Sequence, residues 1–330
     1  MDDGPASAGG PPGDRVATLI GAATGGSIRA IARLISMVES GGDPAAGVAA
    51  GLLGRARGAA VLGITGPPGV GKSTLIAALI GRYRSRGARV AVLAVDPSSP
   101  FSGGALLGDR VRMGEYSADP GVFIRSMSSR GELGGLSAAT AGAADLLSAI
   151  GFDVVIVETV GVGQNEVAVL RVADTVLLVL SPGLGDGIQA AKAGILEIAD
   201  VLVVNKADRD GVATTVRDLK SMVALGRTPG AGQWRIPVLT TVAVDRAGLD
   251  QVLDAVDAHR LHLERQEGSG SRAVRRAEAA VEALVLQRLQ AALRAPDGRA
   301  ALARAAGQVA DGAADTHTAA NRVLRELVGG

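Results

Sequence analysis

Residues 66–74 read Gly66-Pro67-Pro68-Gly69-Val70-Gly71-Lys72-Ser73-Thr74. The spacing is G-x-x-x-x-G-K-[ST], and it falls between an apolar run at 60–65 and a helical pattern at 75–84. Phosphate binding needs this order of parts. Glycines let the backbone curl until its N–H groups converge on one point, and the following helix adds the positive end of its dipole. Lys72 is placed to reach β- and γ-phosphates, and the Ser73 hydroxyl to ligate Mg²⁺. The composition is glycine-rich, yet a chain this long yields only roughly 0.01 such matches by chance. The stretch therefore predicts a phosphate site at a strand–loop–helix junction.

Outward from it, short β-branched runs alternate with helical stretches. Strands are predicted at 60–65, 89–96, 121–126, 153–158, 175–181, 200–205 and 236–242. Val154-Val155-Ile156-Val157 and Val201-Leu202-Val203-Val204 are apolar on consecutive residues, as parallel strands buried on both faces require. The fold class is α/β, a doubly wound, mostly parallel sheet. Before it, Ile28, Ile31, Leu34, Ile35 and Val38 keep helical spacing, and Gly41-Gly42-Asp43-Pro44 ends that helix. After it, residues 268–270 mark a break. Val274, Val281, Leu284, Val285, Leu289 and Leu293 then share a helical stripe, and a last Ala-rich helix closes near Val328. The expected organisation is a disordered leader at 1–14, a helical segment at 15–59, a P-loop domain at 60–260 and a helical arm at 261–330.

A second motif sits about 130 residues beyond the first. Asn205-Lys206-Ala207-Asp208 fits N-K-x-D at the end of a later strand. The Asp208 carboxylate can accept from both N1–H and the 2-amino group of guanine, a donor pair that adenine lacks. Asn205 and Lys206 would brace the loop and cover the base. Thr241-Val242-Ala243, after the last strand, is a candidate third base loop, with Val244 beside it. Three acids complete the set. Asp96 ends the second strand, Asp109 lies in Gly108-Asp109-Arg110, and Glu158 ends a buried strand. Carboxylates at the carboxyl ends of parallel strands face the ligand crevice, where Mg²⁺ takes oxygen ligands. Each acid would also suit an N-cap or a turn. Gly161 would let the backbone close on the γ-phosphate.

Composition narrows the classes. The 330 residues carry 34 Lys+Arg against 33 Asp+Glu, a net charge of +1 that gives no footprint for nucleic acid. The absence of cysteine excludes disulfides, thiol catalysis and Cys-ligated metals. Only three histidines, all late in the chain, leave little for a His-based metal site. No apolar run approaches the ~20 residues of a membrane helix, and the N-terminus lacks signal-peptide character. A cytoplasmic, membrane-free protein is expected. Aromatics are 2%, so the core must be aliphatic. Lysines number only four, and Lys72, Lys192 and Lys206 fall in the segments of interest.

Taken together, GPPGVGKST, VDPSSP, GGALLGDRVRM, ETVGVGQNE and NKAD resemble the MeaB/ArgK-type P-loop GTPases over residues 30–260. These are guanine-nucleotide chaperones of adenosylcobalamin-dependent methylmalonyl-CoA mutase, and the human methylmalonic aciduria type A protein is among them. The resemblance implies a G domain with N-terminal helices and a C-terminal dimerisation arm. It implies GTP/GDP and Mg²⁺ as cofactors, and Asp96, Asp109 and Glu158 serving Mg²⁺ and the γ-phosphate beside Ser73, with Lys72, Asp96 and Glu158 catalytic. Residues 181–192 are similar to the stretch through which this family signals to its mutase. The implied partners are such an acyl-CoA mutase and a second copy of the chain. Two departures stand out: Val242-Ala243 replaces a Ser-Ala pair, and Pro100-Phe101-Ser102 replaces a more polar stretch.

The parts for phosphoryl transfer are mainly those of positioning and charge neutralisation. No glutamine directly follows Gly161, and Gln164 is a poor equivalent. Arg110, Arg112 and Lys192 are candidate stabilising cations. The expectation is slow intrinsic GTP hydrolysis raised by a partner. Two other readings share the fold: a metal-delivery GTPase, which usually needs Cys or His donors, and a nucleotide-dependent kinase. The partner or product separates the three.

Overall fold

The computed structural model describes residues 12–55, 58–96, 114–116, 118–128, 133–159, 172–183, 198–226 and 233–328. Seven parallel strands form one sheet among them: β1 (Ala60–Thr65), β2 (Val90–Asp96), β3 (Val122–Ser128), β4 (Val154–Thr159), β5 (Thr175–Leu180), β6 (Val201–Asn205) and β7 (Val238–Thr241). Their spatial order is β3-β2-β4-β1-β5-β6-β7. All seven sequence-predicted strands are present, with ends displaced by two residues at most.

Helices cover both faces. Val155 and Val157 of β4 join one core with α1 (Pro12–Thr24), α2 (Ile28–Ser40), α3 (Gly42–Gly51) and α5 (Leu133–Ala149). Val154 and Ile156 join the opposite core with α4 (Lys72–Ser85) and the start of α7 (Leu249–Arg294). A third cluster seats α6 (Val212–Gly226) against Leu202 and Val204 through Leu219. Consecutive valines thus point to opposite layers, the physical reason for the unbroken apolar runs. On α2, Ile31, Leu34 and Ile35 are fully buried, each worth about 2 kcal/mol over exposure. No described helix is long and apolar enough to cross a membrane.

Three expectations are corrected. The first helix begins at Pro12, so the leader does not extend to residue 14. As expected, the stretch from Gly41 ends α2; α3 follows at once, with Pro44 in its first turn, where no N–H is needed. The arm does not begin a new element at 261, nor break at 268–270. Helix α7 runs uninterrupted for 46 residues, about 69 Å. Each glycine costs roughly 1 kcal/mol there, while long helical stretches on both sides favour propagation through it. Its start is anchored by buried Leu249, Val252, Leu253 and Val256. Finally, the last Ala-rich segment is two helices, α8 (Pro296–Ala310) and α9 (Thr316–Val328), sharing a small core of Ala305, Ala319 and Val323.

Candidate functional site

The chain from β1 reaches β2 on one side, and the chain from β4 returns to β5 on the other. The sheet order therefore reverses around β1, and a crevice opens at its carboxyl end. The loop 66–71 fills the floor of that crevice. A side chain at Gly66 would collide with the Val179 carbonyl of β5. Gly69 and Gly71 have φ of 81° and 94°, and a Cβ on Gly71 would stand 2.5 Å from Asn205 Nδ2. The glycines are required by close approach as well as by conformation.

Lys72 opens α4 and is buried, with Nζ donating to the Gly66 carbonyl at 2.7 Å and the Pro67 carbonyl at 3.2 Å. Ser73 Oγ donates to Glu158 Oε1 at 3.0 Å. Glu158 is 4% exposed and pairs in register with Ile64 of β1 and Ala94 of β2. The next residues, Thr159 and Thr65, share a buried hydroxyl bond of 2.9 Å that ties the ends of β4 and β1 together. Thr74 is half-buried, Pro67 and Val70 are buried, and Pro68 is exposed. The amino end of α4 and the Lys72 ammonium together make this end of the crevice favourable to anions.

Asn205 connects the two motifs. From the end of β6 its Nδ2 donates to the Val70 carbonyl at 2.9 Å. Its Oδ1 accepts from the Ala243 amide and from Thr241 Oγ1, both at 3.1 Å. The Ala207 amide donates to the Thr241 carbonyl at 3.0 Å. Lys206, with φ of 59°, sends Nζ back to the Gly69 carbonyl at 2.6 Å. Asp208 stands exposed beyond it. The loop after β7 closes on itself through paired Val242–Ala247 backbone bonds, leaving Ala243 buried and Val244 75% exposed.

The structure thus brings Gly66–Thr74, Glu158, Asn205, Lys206, Asp208 and Val242–Val244 to one end of the sheet. Asp96 ends β2 at the same edge, but its side chain lies outside the described residues, as do Asp109, Gly161, Gln164, Arg110, Arg112 and Lys192. Sequence reading placed Thr241 in the third base loop without its bond to Asn205, and it missed Thr65 and Thr159. Their only signal was position, a hydroxyl at a strand's carboxyl end. Among the described residues, no three His, Asp or Glu gather as a metal cluster.

A doubly wound sheet with a P-loop at its reversal point, crossed by an N-K-x-D loop, defines the P-loop GTPase class. The sequence model of the "Methylmalonyl Co-A mutase-associated GTPase MeaB" family matches residues 31–297, and the chain belongs to that family. A candidate GTPase of Pyrococcus abyssi is 44% identical over 92% of this chain and 94% of its own. GTPase ArgK of Escherichia coli is 42% identical over 59% of this chain and 60% of its own. The mitochondrial methylmalonic aciduria type A homolog of Caenorhabditis elegans is 41% identical over 59% of this chain and 50% of its own. The crystal structure of a LAO/AO transport system kinase superposes with a TM-score of 0.69 at 27% identity, covering 95% of this chain and 98% of that one.

Proposed function

We propose that this chain binds GTP in the crevice above β1, hydrolyses it slowly, and acts as a switch for an adenosylcobalamin-dependent acyl-CoA mutase, with methylmalonyl-CoA mutase the first candidate. One observation carries the nucleotide reading: Asn205 joins the phosphate loop at Val70 to the base loop at Ala243. A ligand seated on both loops must carry phosphates at one end and a purine at the other. The exposed Asp208 carboxylate is free to take the N1–H and 2-amino donors of guanine. The Ala243 amide already bonds to Asn205, so the departure from Ser-Ala costs the loop no backbone group.

The chain's own residues supply positioning. Lys72 exchanges its loop carbonyls for β- and γ-phosphate oxygens, a charge-assisted bond that strengthens as negative charge grows in the transition state. Gly66–Gly71 present N–H groups to the phosphates, and Gly161 is assigned to the γ-phosphate. The Ser73 hydroxyl and Glu158 carboxylate, 3.0 Å apart and buried, form an oxygen-donor set of the kind Mg²⁺ selects, with Asp96 and Asp109 assigned to the same ion. Mg²⁺ would supply charge neutralisation between the phosphates. Nothing in this set polarises the attacking water strongly, which supports a slow intrinsic rate and a partner that raises it.

The family name and the methylmalonic aciduria type A relative support the mutase as partner. The arm is assigned to homodimerisation, and exposed Val281, Leu284 and Val285 on α7 supply the apolar stripe for it. The deciding experiment is GTP turnover with and without purified methylmalonyl-CoA mutase, with a pull-down on the same samples. Acceleration within a stable complex supports the reading. GTP turnover without binding moves the search to other acyl-CoA mutases, and a phosphorylated acceptor would favour the kinase named in the solved relative.

A further inference from the structure

Strands β1 and β4 lie side by side beneath the phosphate loop, and their pairing stops at the edge of the crevice. Ile64 and Glu158 form the last Cα pair between them. One residue further, Thr65 pairs with Leu178 of β5, and Thr159 with Val95 of β2. The two strands thus turn to opposite neighbours where the order of the sheet reverses. Gly66 leans the same way as Thr65, since a Cβ on it would collide with the Val179 carbonyl of β5.

A side-chain bond spans this opening. Thr159 Oγ1 donates to Thr65 Oγ1 at 2.9 Å, and both residues are 1% exposed or less. Successive residues of a strand face opposite sides of the sheet. Val155 and Val157 of β4 and Val61 of β1 belong to the core beneath α2 and α5, so Thr159 and Thr65 face that side. Ile156 and Ile64 belong to the core beneath α4, so Glu158 faces α4, where its Oε1 accepts from Ser73 Oγ at 3.0 Å. The hydroxyl pair therefore clasps the back of the sheet at the level where Glu158 and Ser73 meet on the front. Valine would fill the same buried positions without a polar atom to satisfy. What two hydroxyls add is a directional bond of fixed length between the strands.

That length matters to the site. Glu158 is carried by β4, and Ser73 by α4, which follows β1 through the loop 66–71. The gap between the two oxygens is set by how far apart β1 and β4 stand at this level. We propose that Thr65 and Thr159 are positioning residues, whose hydroxyl bond fixes the separation of Ser73 from Glu158 and thereby the affinity of that oxygen pair for Mg²⁺. The inference rests on the GTPase reading above and on its assignment of Ser73 and Glu158 to the ion. Neither threonine touches nucleotide or metal; each acts through the residue beside it in the chain.

The test uses the full chain and reads the Mg²⁺ concentration that half-saturates GTP turnover. It also reads the Kd of a fluorescent, non-hydrolysable GTP analogue, with saturating Mg²⁺ and in EDTA. Thr159→Val replaces the hydroxyl by a methyl group of like size. It should raise the Mg²⁺ requirement about tenfold, the scale for a group that orients a metal ligand. Analogue affinity in Mg²⁺ should fall by a similar factor, while affinity in EDTA stays nearly unchanged and shows the fold to be intact. Thr65→Val should do the same, and the double variant no more than either, because one bond is lost in all three. Thr159→Ser keeps the hydroxyl and should recover most of the Mg²⁺ affinity. Unchanged Mg²⁺ dependence in Thr159→Val, equal losses with Mg²⁺ and in EDTA, additive effects in the double variant, or no recovery in Thr159→Ser would each overturn the positioning role. Glu158→Gln is the reference and should raise the Mg²⁺ requirement more than any threonine variant. If it leaves that requirement untouched, the assignment of Glu158 to Mg²⁺ fails, and with it the reading on which this inference rests.

Discussion

Asn205 holds the backbone amide of Ala243 at 3.1 Å through Oδ1, while its other side-chain atom holds the phosphate loop at Val70. One 2%-exposed amide thereby fixes the distance between two loops that are far apart in the sequence. A side-chain amide suits this task because it donates and accepts at once, which a carboxylate of the same size does not.

Asn205→Ala should therefore cost about 2–4 kcal/mol, since it leaves buried backbone groups without partners. The expected signs are a Tm lower by roughly 5–10 °C and GDP binding weakened about tenfold or more. Thr241→Val removes only one of the bonds and should cost about 1 kcal/mol. Equal losses in the two variants would mean that the bridge is not the source.

Asp208→Asn should leave stability unchanged, because Asp208 is exposed. Preference should move from GTP toward xanthosine triphosphate, whose 2-oxo group accepts where guanine donates. Unaltered GTP affinity would remove Asp208 from the base site.

Lys72→Ala should abolish measurable GTP hydrolysis, a loss of about a hundredfold or more for a charged group lost from a developing negative charge. Retained turnover in a steady-state phosphate-release assay would place the phosphate site elsewhere.

The Asp119–Arg84 anchor sets an acid limb on stability. The Arg84 hydrogen bond, followed by the Gly121 amide, holds the Asp119 carboxyl below the usual carboxylate value. A depressed folded-state value stabilises the fold above the unfolded pKa of about 3.9 and is lost as pH falls below it. Asp119→Asn should lower Tm at pH 7, and the gap to wild type should narrow by pH 3. A constant gap would show that the charge contributes nothing.

Much of the fold is legible because local chemistry and global architecture agree. The runs at Val154–Val157 and Val201–Val204 allow only strands buried on both faces, and the P-loop must sit between a strand and a helix. The stretch Gly268-Ser269-Gly270 misleads for a physical reason: propensity is local, and helix α7 is sustained by what lies on both sides of it. In the site, Lys72, Ser73 and Asn205 were legible because backbone curvature and phosphate chemistry demand their spacing. Thr65 and Thr159 were not, and Thr241 was legible only as part of the base loop, because a hydroxyl's partner is set only once the sheet puts one strand end beside another.

The unbroken helix α7 has a mechanical consequence. It begins three residues after Arg246, and it is clamped to α4 near its origin by Arg82–Asp250 and Arg86–Asp257 contacts of 3.0 and 3.2 Å. Farther along, the same helix lies on α5, with Ala280 against the core that α2, α5 and β4 share, and Gln287 Nε2 3.4 Å from where a Gly41 Cβ would stand. One continuous helix thus starts in the core on one side of the sheet and ends against the core on the other, so a tilt at Gly248 has to be met by α5 and α2 as well as by α4.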